Sequence, residues 1–112
     1  MPHILLSVSG GVPVDFDQVL QSLVDELSST ESVESKSIKA YGQVFDDWKM
    51  GLGAKGSFVH CEVRVLIGRT EEWRMELADR MFPVLMRAFA ANSDVQFTLE
   101  IREMERTTYR KG

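Results

Sequence analysis

Between Phe58 and Ile67 the chain alternates without a break, with Val59, Cys61, Val63, Val65 and Ile67 on one side and His60, Glu62 and Arg64 on the other. A period of two makes this a β-strand with one dry and one polar face. The dry face needs a covering layer, so the fold must stack helices on one side of a sheet. Covering helices stand on both sides of this strand in the sequence. Asp15 caps a segment in which Phe16, Val19, Leu20, Leu23, Val24 and Leu27 recur at helical spacing, with Gln18 three residues after the cap. This predicts a helix from about Asp15 to Ser28. Thr70 followed by Glu71 and Glu72 opens a second helix, since carboxylates favour the positive end of a helix dipole. Its stripe is Trp73, Leu77, Ala78, Met81, Phe82, Leu85 and Phe89, and Pro83 inside it is expected to kink it.

Strands bracket both helices. Residues 3–8 are a short apolar run stopped by Ser9, Gly10 and Gly11, which places a strand almost at the N-terminus. After a polar connection over residues 28–35, Lys36 to Val44 forms a looser strand in which Ile38 and Ala40 bracket Lys39. After a break at Asn92 and Ser93, Val95, Phe97, Leu99 and Ile101 alternate with Gln96, Thr98, Glu100 and Arg102. The order is β-α-β, a glycine-rich loop over residues 45–57, then β-α-β, in halves of similar length without obvious identity. The expected fold is α+β: one domain over residues 1–112, with a four-stranded mixed sheet and two helices on one face. The other face carries His60, Glu62, Arg64, Gln96, Thr98, Glu100 and Arg102, to be solvated or shared with other subunits.

Charge and composition narrow the function. With 13 Lys+Arg against 17 Asp+Glu the net charge is −4, which speaks against non-specific nucleic-acid binding. All of the arginines lie beyond residue 56. The single cysteine, Cys61, falls on the dry face and excludes an intramolecular disulfide; no apolar run is long enough to span a bilayer, and no secretion signal follows Met1. The expected location is cytoplasmic.

Conventional catalytic motifs are missing. Gly51-Leu52-Gly53-Ala54-Lys55-Gly56 spells G-x-G-x-x-G, but a strand follows it where dinucleotide binding needs a helix, so it reads as a loop. His3, His60 and Cys61 match no zinc spacing, and Asp46-Asp47 reads as a solvated pair. No metal or cofactor is called for. The N-terminus remains. Removal of Met1 would leave Pro2 as a secondary amine on a rigid strand, and burial beside a cation makes such an amine a competent base near neutral pH. A Met-Pro start alone is too short a signal to assign catalysis.

Several segments carry a family resemblance. Pro2-His3 ahead of a strand, the repeated β-α-β order, Asp46-Asp47-Trp48-Lys49-Met50, Phe58-Val59-His60 and Gly68-Arg69-Thr70 together resemble the 5-carboxymethyl-2-hydroxymuconate delta-isomerase family of the tautomerase superfamily, up to about residue 104. The resemblance implies a homotrimer whose three sheets form a barrel. It also implies a cofactor-free isomerase in which the N-terminal proline moves a proton on a small unsaturated 2-hydroxy or 2-keto diacid. Pro2 matches that proline and Arg69 the arginine opening the second helix. Lys39 stands where the family has an arginine, so a point charge replaces a bidentate fork. The chain ends sooner than the family pattern. An inactive trimer acting as a structural or ligand-binding module is the second reading. A ferredoxin-like regulatory or RNA-binding domain is the third, disfavoured by the acidic balance and by polar strand faces without aromatics.

Overall fold

The computed structural model describes residues 1–89 and 94–112. Its elements are β1 (His3–Ser9), α1 (Phe16–Ser28), a 3-10 turn (Ser35–Ser37), β2 (Lys39–Phe45), β3 (Ser57–Leu66), α2 (Glu71–Ala88) and β4 (Val95–Met104). The expected break at Asn92 and Ser93 lies outside the described residues.

Both helices start where the sequence places their caps. Asp15 accepts the Gln18 N–H and Thr70 accepts the Trp73 N–H through their side chains, each satisfying one free amide of a first turn. The second helix runs through Pro83 without interruption to Ala88. The second strand starts later than its alternation predicts, at Lys39 instead of Lys36. Ser37 is the reason: its hydroxyl and its amide both donate to the Glu34 carbonyl, and the Ile38 amide closes onto Ser35. Local serine bonds of this kind compete with strand pairing and hold the chain coiled for one more turn.

The strand order is β2-β1-β3-β4. β1 pairs parallel with β2 and β3 pairs parallel with β4, while β1 and β3 meet antiparallel at the centre. Each parallel pair needs a crossover, which its helix supplies. The two strands of each β-α-β unit are direct neighbours, unlike the split units of a ferredoxin-like sheet. That third reading is therefore excluded by the topology.

The core lies between sheet and helices. Ile4, Leu6 and Val8 of β1 and Val59, Cys61, Val63 and Val65 of β3 meet Val19, Leu23 and Leu27 of α1 and Leu77, Met81 and Leu85 of α2. Burying each leucine contributes roughly 1.5–3 kcal/mol. Burial pushes the Cys61 thiol up to about 12, so it is a core residue and no nucleophile at neutral pH. Gly42 permits α1 to sit close, because a Cβ there would fall 2.3 Å from the Phe16 ring.

On the opposite face the polar side chains form a ladder. His60 Nδ1 and Thr98 Oγ1 are 2.7 Å apart, Arg64 donates to Glu62 at 2.9 Å, and Arg102 lies near both Glu62 and Glu100. The sheet is open at both edges, and Tyr41, Val44 and Phe45 of edge strand β2 stand exposed. No helix among the described residues is long and apolar enough to cross a membrane.

Candidate active site

The chain enters β1 through Pro2, which is buried and whose carbonyl accepts the Lys39 N–H at 3.0 Å. This bond ties the N-terminus to the first residue of β2 and fixes where the Pro2 nitrogen lies. Ahead of it, the Met1 ammonium donates to the Ser37 carbonyl at 3.1 Å. Burial, then the charges of Lys111 and Lys39, hold this ammonium below the ordinary value of 8.0, against an opposing pull from Glu34.

A cleft of about 470 Å³ opens beside Met1 and Pro2. Its walls come from the loop after α1 (Ser32–Glu34), from the end of β3 running through Gly68 to Arg69, from Trp73 in the first turn of α2, and from Arg106 after β4. Arg69 is held from two sides. Its guanidinium donates to the hydroxyl and the carbonyl of Ser32 and lies over the Trp73 ring, 4.3 Å from the centroid. Ser32 takes a left-handed backbone, φ 73°, uncommon for a non-glycine residue, and it receives both guanidinium bonds. Such strain at a rim that collects charge is a mark of a functional site.

Pro2 and Arg69 therefore share one cleft. Lys39 lies beside Pro2 through its backbone but does not line that cleft: its Nζ donates to the Ser37 carbonyl at 3.1 Å. Its charge is one of the causes that lower the Met1 amine, after burial and Lys111. Trp73, read from the sequence as part of the core stripe, is half-buried and serves Arg69 as a stacking surface. Ser32 and Arg106 were invisible to periodicity, since both lie outside regular elements.

His3 points into a different cluster. Its Nε2 lies 3.1 Å from the Tyr109 hydroxyl and its Nδ1 3.3 Å from the Tyr41 hydroxyl. A neutral imidazole donates at one nitrogen and accepts at the other, which suits two hydroxyl partners. Burial, followed by Lys39, the chain terminus and Arg64, keeps His3 below its ordinary pKa and so neutral. Its part is to join the tail to β1 and β2. The G-x-G-x-x-G segment is a loop leading into β3, and Asp46 and Asp47 are exposed.

Residues 2–112 match the family model of 5-carboxymethyl-2-hydroxymuconate isomerase. The chain belongs to this family. It is thus an isomerase of the tautomerase superfamily. Its backbone is similar to that of a 5-carboxymethyl-2-hydroxymuconate isomerase from Deinococcus radiodurans R1, with TM-score 0.88 at 24% identity over 99% of this chain and 88% of that one. It is also similar to a 5-carboxymethyl-2-hydroxymuconate delta-isomerase, with TM-score 0.88 at 15% identity over 100% and 87%. A fused 4-OT solved as a symmetric trimer aligns with TM-score 0.73 at 18% identity over 98% and 91%. These likenesses establish the shared fold. No curated protein sequence matches the chain.

Proposed function

We propose that the chain, with Met1 removed, moves a proton on an unsaturated 2-hydroxy or 2-keto di- or tricarboxylic acid of the 5-carboxymethyl-2-hydroxymuconate type, using the Pro2 amine as base and then as acid. The observation that carries this is the placement of buried Pro2 against a cleft whose rim bears Arg69. Family membership supplies the reaction class.

The mechanism follows from the neighbours of Pro2. The neutral amine takes the proton from the substrate's 2-hydroxyl, the electron pair of that O–H bond becomes the carbonyl, and the conjugated π-electrons shift along the chain. The ammonium of Pro2 then returns its proton to carbon. Both transfers use one nitrogen, held by the ring and by the Lys39–Pro2 backbone bond. Arg69 and Lys39 hold the substrate carboxylates and oppose protonation of the amine between turnovers. Lys39 reaches the substrate by leaving Ser37, a movement its four-carbon stem allows.

The same reading assigns a homotrimer. Two open sheet edges, exposed Tyr41, Val44 and Phe45, and a self-paired polar ladder suit a sheet closed against copies of itself. Sedimentation equilibrium at micromolar concentration is expected to give about three times the 12.7 kDa chain mass. A 12.7 kDa species there contradicts the assembly.

The functional test is turnover of a 2-hydroxymuconate-type acid by the processed protein, with Arg69→Ala beside it. Loss of one charge-assisted anchor is expected to raise KM for a dicarboxylate about tenfold or more and to change a monocarboxylate less. An unchanged kcat/KM for the dicarboxylate removes Arg69 from substrate binding. Absence of turnover by the processed protein supports the second reading, an inactive trimer, which the engagement of Lys39 with Ser37 favours.

A further inference from the structure

Arg106 lies in the turn after β4, beyond the last regular element. It faces the cleft that holds Pro2 and Arg69. The turn is anchored: the Thr108 and Tyr109 amides donate to the Glu105 carbonyl, and the Tyr109 hydroxyl meets His3. One guanidinium bond positions Arg106, from Nη2 to the Ile67 carbonyl at 3.3 Å. Gly68 lies beside it, on a backbone with φ of 120° that favours glycine, and a Cβ there would make only ordinary van der Waals contact with the same Nη2 at 3.8 Å.

The pairing of the arginines separates this one from most others. Arg64, Arg74, Arg80 and Arg102 each lie within 4.0 Å of a carboxylate. Among the described residues Arg69, Arg87, Arg106 and Arg110 do not, and of these four only Arg69 and Arg106 line the cleft. Glu34 is the one carboxylate lining it among the described residues, and it pairs with neither. Two arginines without counter-ions on one concave surface fit an anion bearing more than one carboxylate.

We propose that Arg106 holds a third carboxylate of the substrate, beside those assigned to Arg69 and Lys39, and so makes the cleft prefer tricarboxylates over dicarboxylates. This rests on the substrate class assigned above. The compound in the family's name has three carboxylates, two from the muconate and one from the carboxymethyl arm. Three cations then match three anions. Arg106 comes from the tail, so it tunes which acid binds without touching the atoms between which the proton moves.

Equilibrium binding tests this apart from catalysis. Titration calorimetry of the Met1-processed protein with tricarballylate and with glutarate is expected to show about tenfold or greater preference for the triacid. Arg106→Ala should reduce that preference to about twofold or less, and Arg106→Lys should restore part of it as a point charge. No preference in the unsubstituted protein, no binding of tricarballylate, or a preference that survives Arg106→Ala overturns the proposal. Turnover of a 2-hydroxymuconate-type acid, measured on the same preparation, judges the catalytic reading separately. An Arg106-dependent preference without turnover supports the triacid site and overturns the catalytic assignment.

Discussion

Protein that keeps Met1 is expected to lose about 10²–10⁴-fold in kcat/KM relative to the same chain beginning at Pro2, the range associated with a positioned general acid–base group. The loss has two causes. An acylated Pro2 nitrogen is an amide whose lone pair is delocalised, so it does not accept a proton at neutral pH. Met1 also lines the cleft and ties its own ammonium to Ser37, which would take space from the proposed substrate. Neither effect touches the core, because Met1 lies outside the buried cluster. Thermal unfolding and sedimentation of the two forms should therefore agree, and intact mass assigns each preparation. Equal activity of the two forms would remove Pro2 from the mechanism.

Gly56→Ala should give the largest loss of stability from a single methyl group. Gly56 has φ of 90°, where a side chain collides with its own backbone at a cost of roughly 1–2 kcal/mol. A Cβ there would also lie 2.1 Å from the Asp94 carbonyl oxygen, which is backbone and has no rotamer to yield. That oxygen accepts the Ser57 N–H at 3.1 Å and begins the β3–β4 ladder, where Ser57 faces Val95. The substitution therefore strains a turn and disrupts the first rung of a parallel pair. The combined effect is expected to be about 2–4 kcal/mol. Urea unfolding at one fixed protein concentration measures it, with the midpoint lowered and the slope unchanged. A change below about 0.5 kcal/mol, the ordinary scatter of surface substitutions, contradicts this account of Gly56.

Legibility in the sequence followed the reach of the interactions involved. Caps act within three residues, so Asp15 and Thr70 marked both helix starts. The alternation from Val59 to Val65 set the dry face of β3, and Cys61 is buried as that pattern requires. The coiling of Ser35–Ser37 was missed because serine hydroxyl bonds leave no periodic signal. Strand order was not legible either, since it depends on pairings between residues 36 and 61 positions apart, His3 with Lys39 and with Arg64. Of the candidate site residues, Pro2 was reached from the residues as the remaining base and gained weight from the family resemblance, which alone singled out Arg69. Trp73 was hidden inside an apolar stripe that also serves the core. Ser32 and Arg106 enter the cleft from a loop and a tail, where only the fold brings them together.

The central claim is that the Pro2 nitrogen is a free base near neutral pH because burial and neighbouring cations disfavour its charged form. A lowered amine pKa means that the base form is present above that pKa, so kcat/KM should rise with pH through one ionisation and level off above it. The direct measurement is a ¹⁵N NMR titration of the Met1-processed protein labelled at proline. The account predicts that the Pro2 nitrogen titrates below 8.0, the ordinary α-amine value, and that its midpoint coincides with the one governing kcat/KM. A Pro2 nitrogen titrating at or above 8.0, or at a pH unrelated to the rate profile, would contradict it.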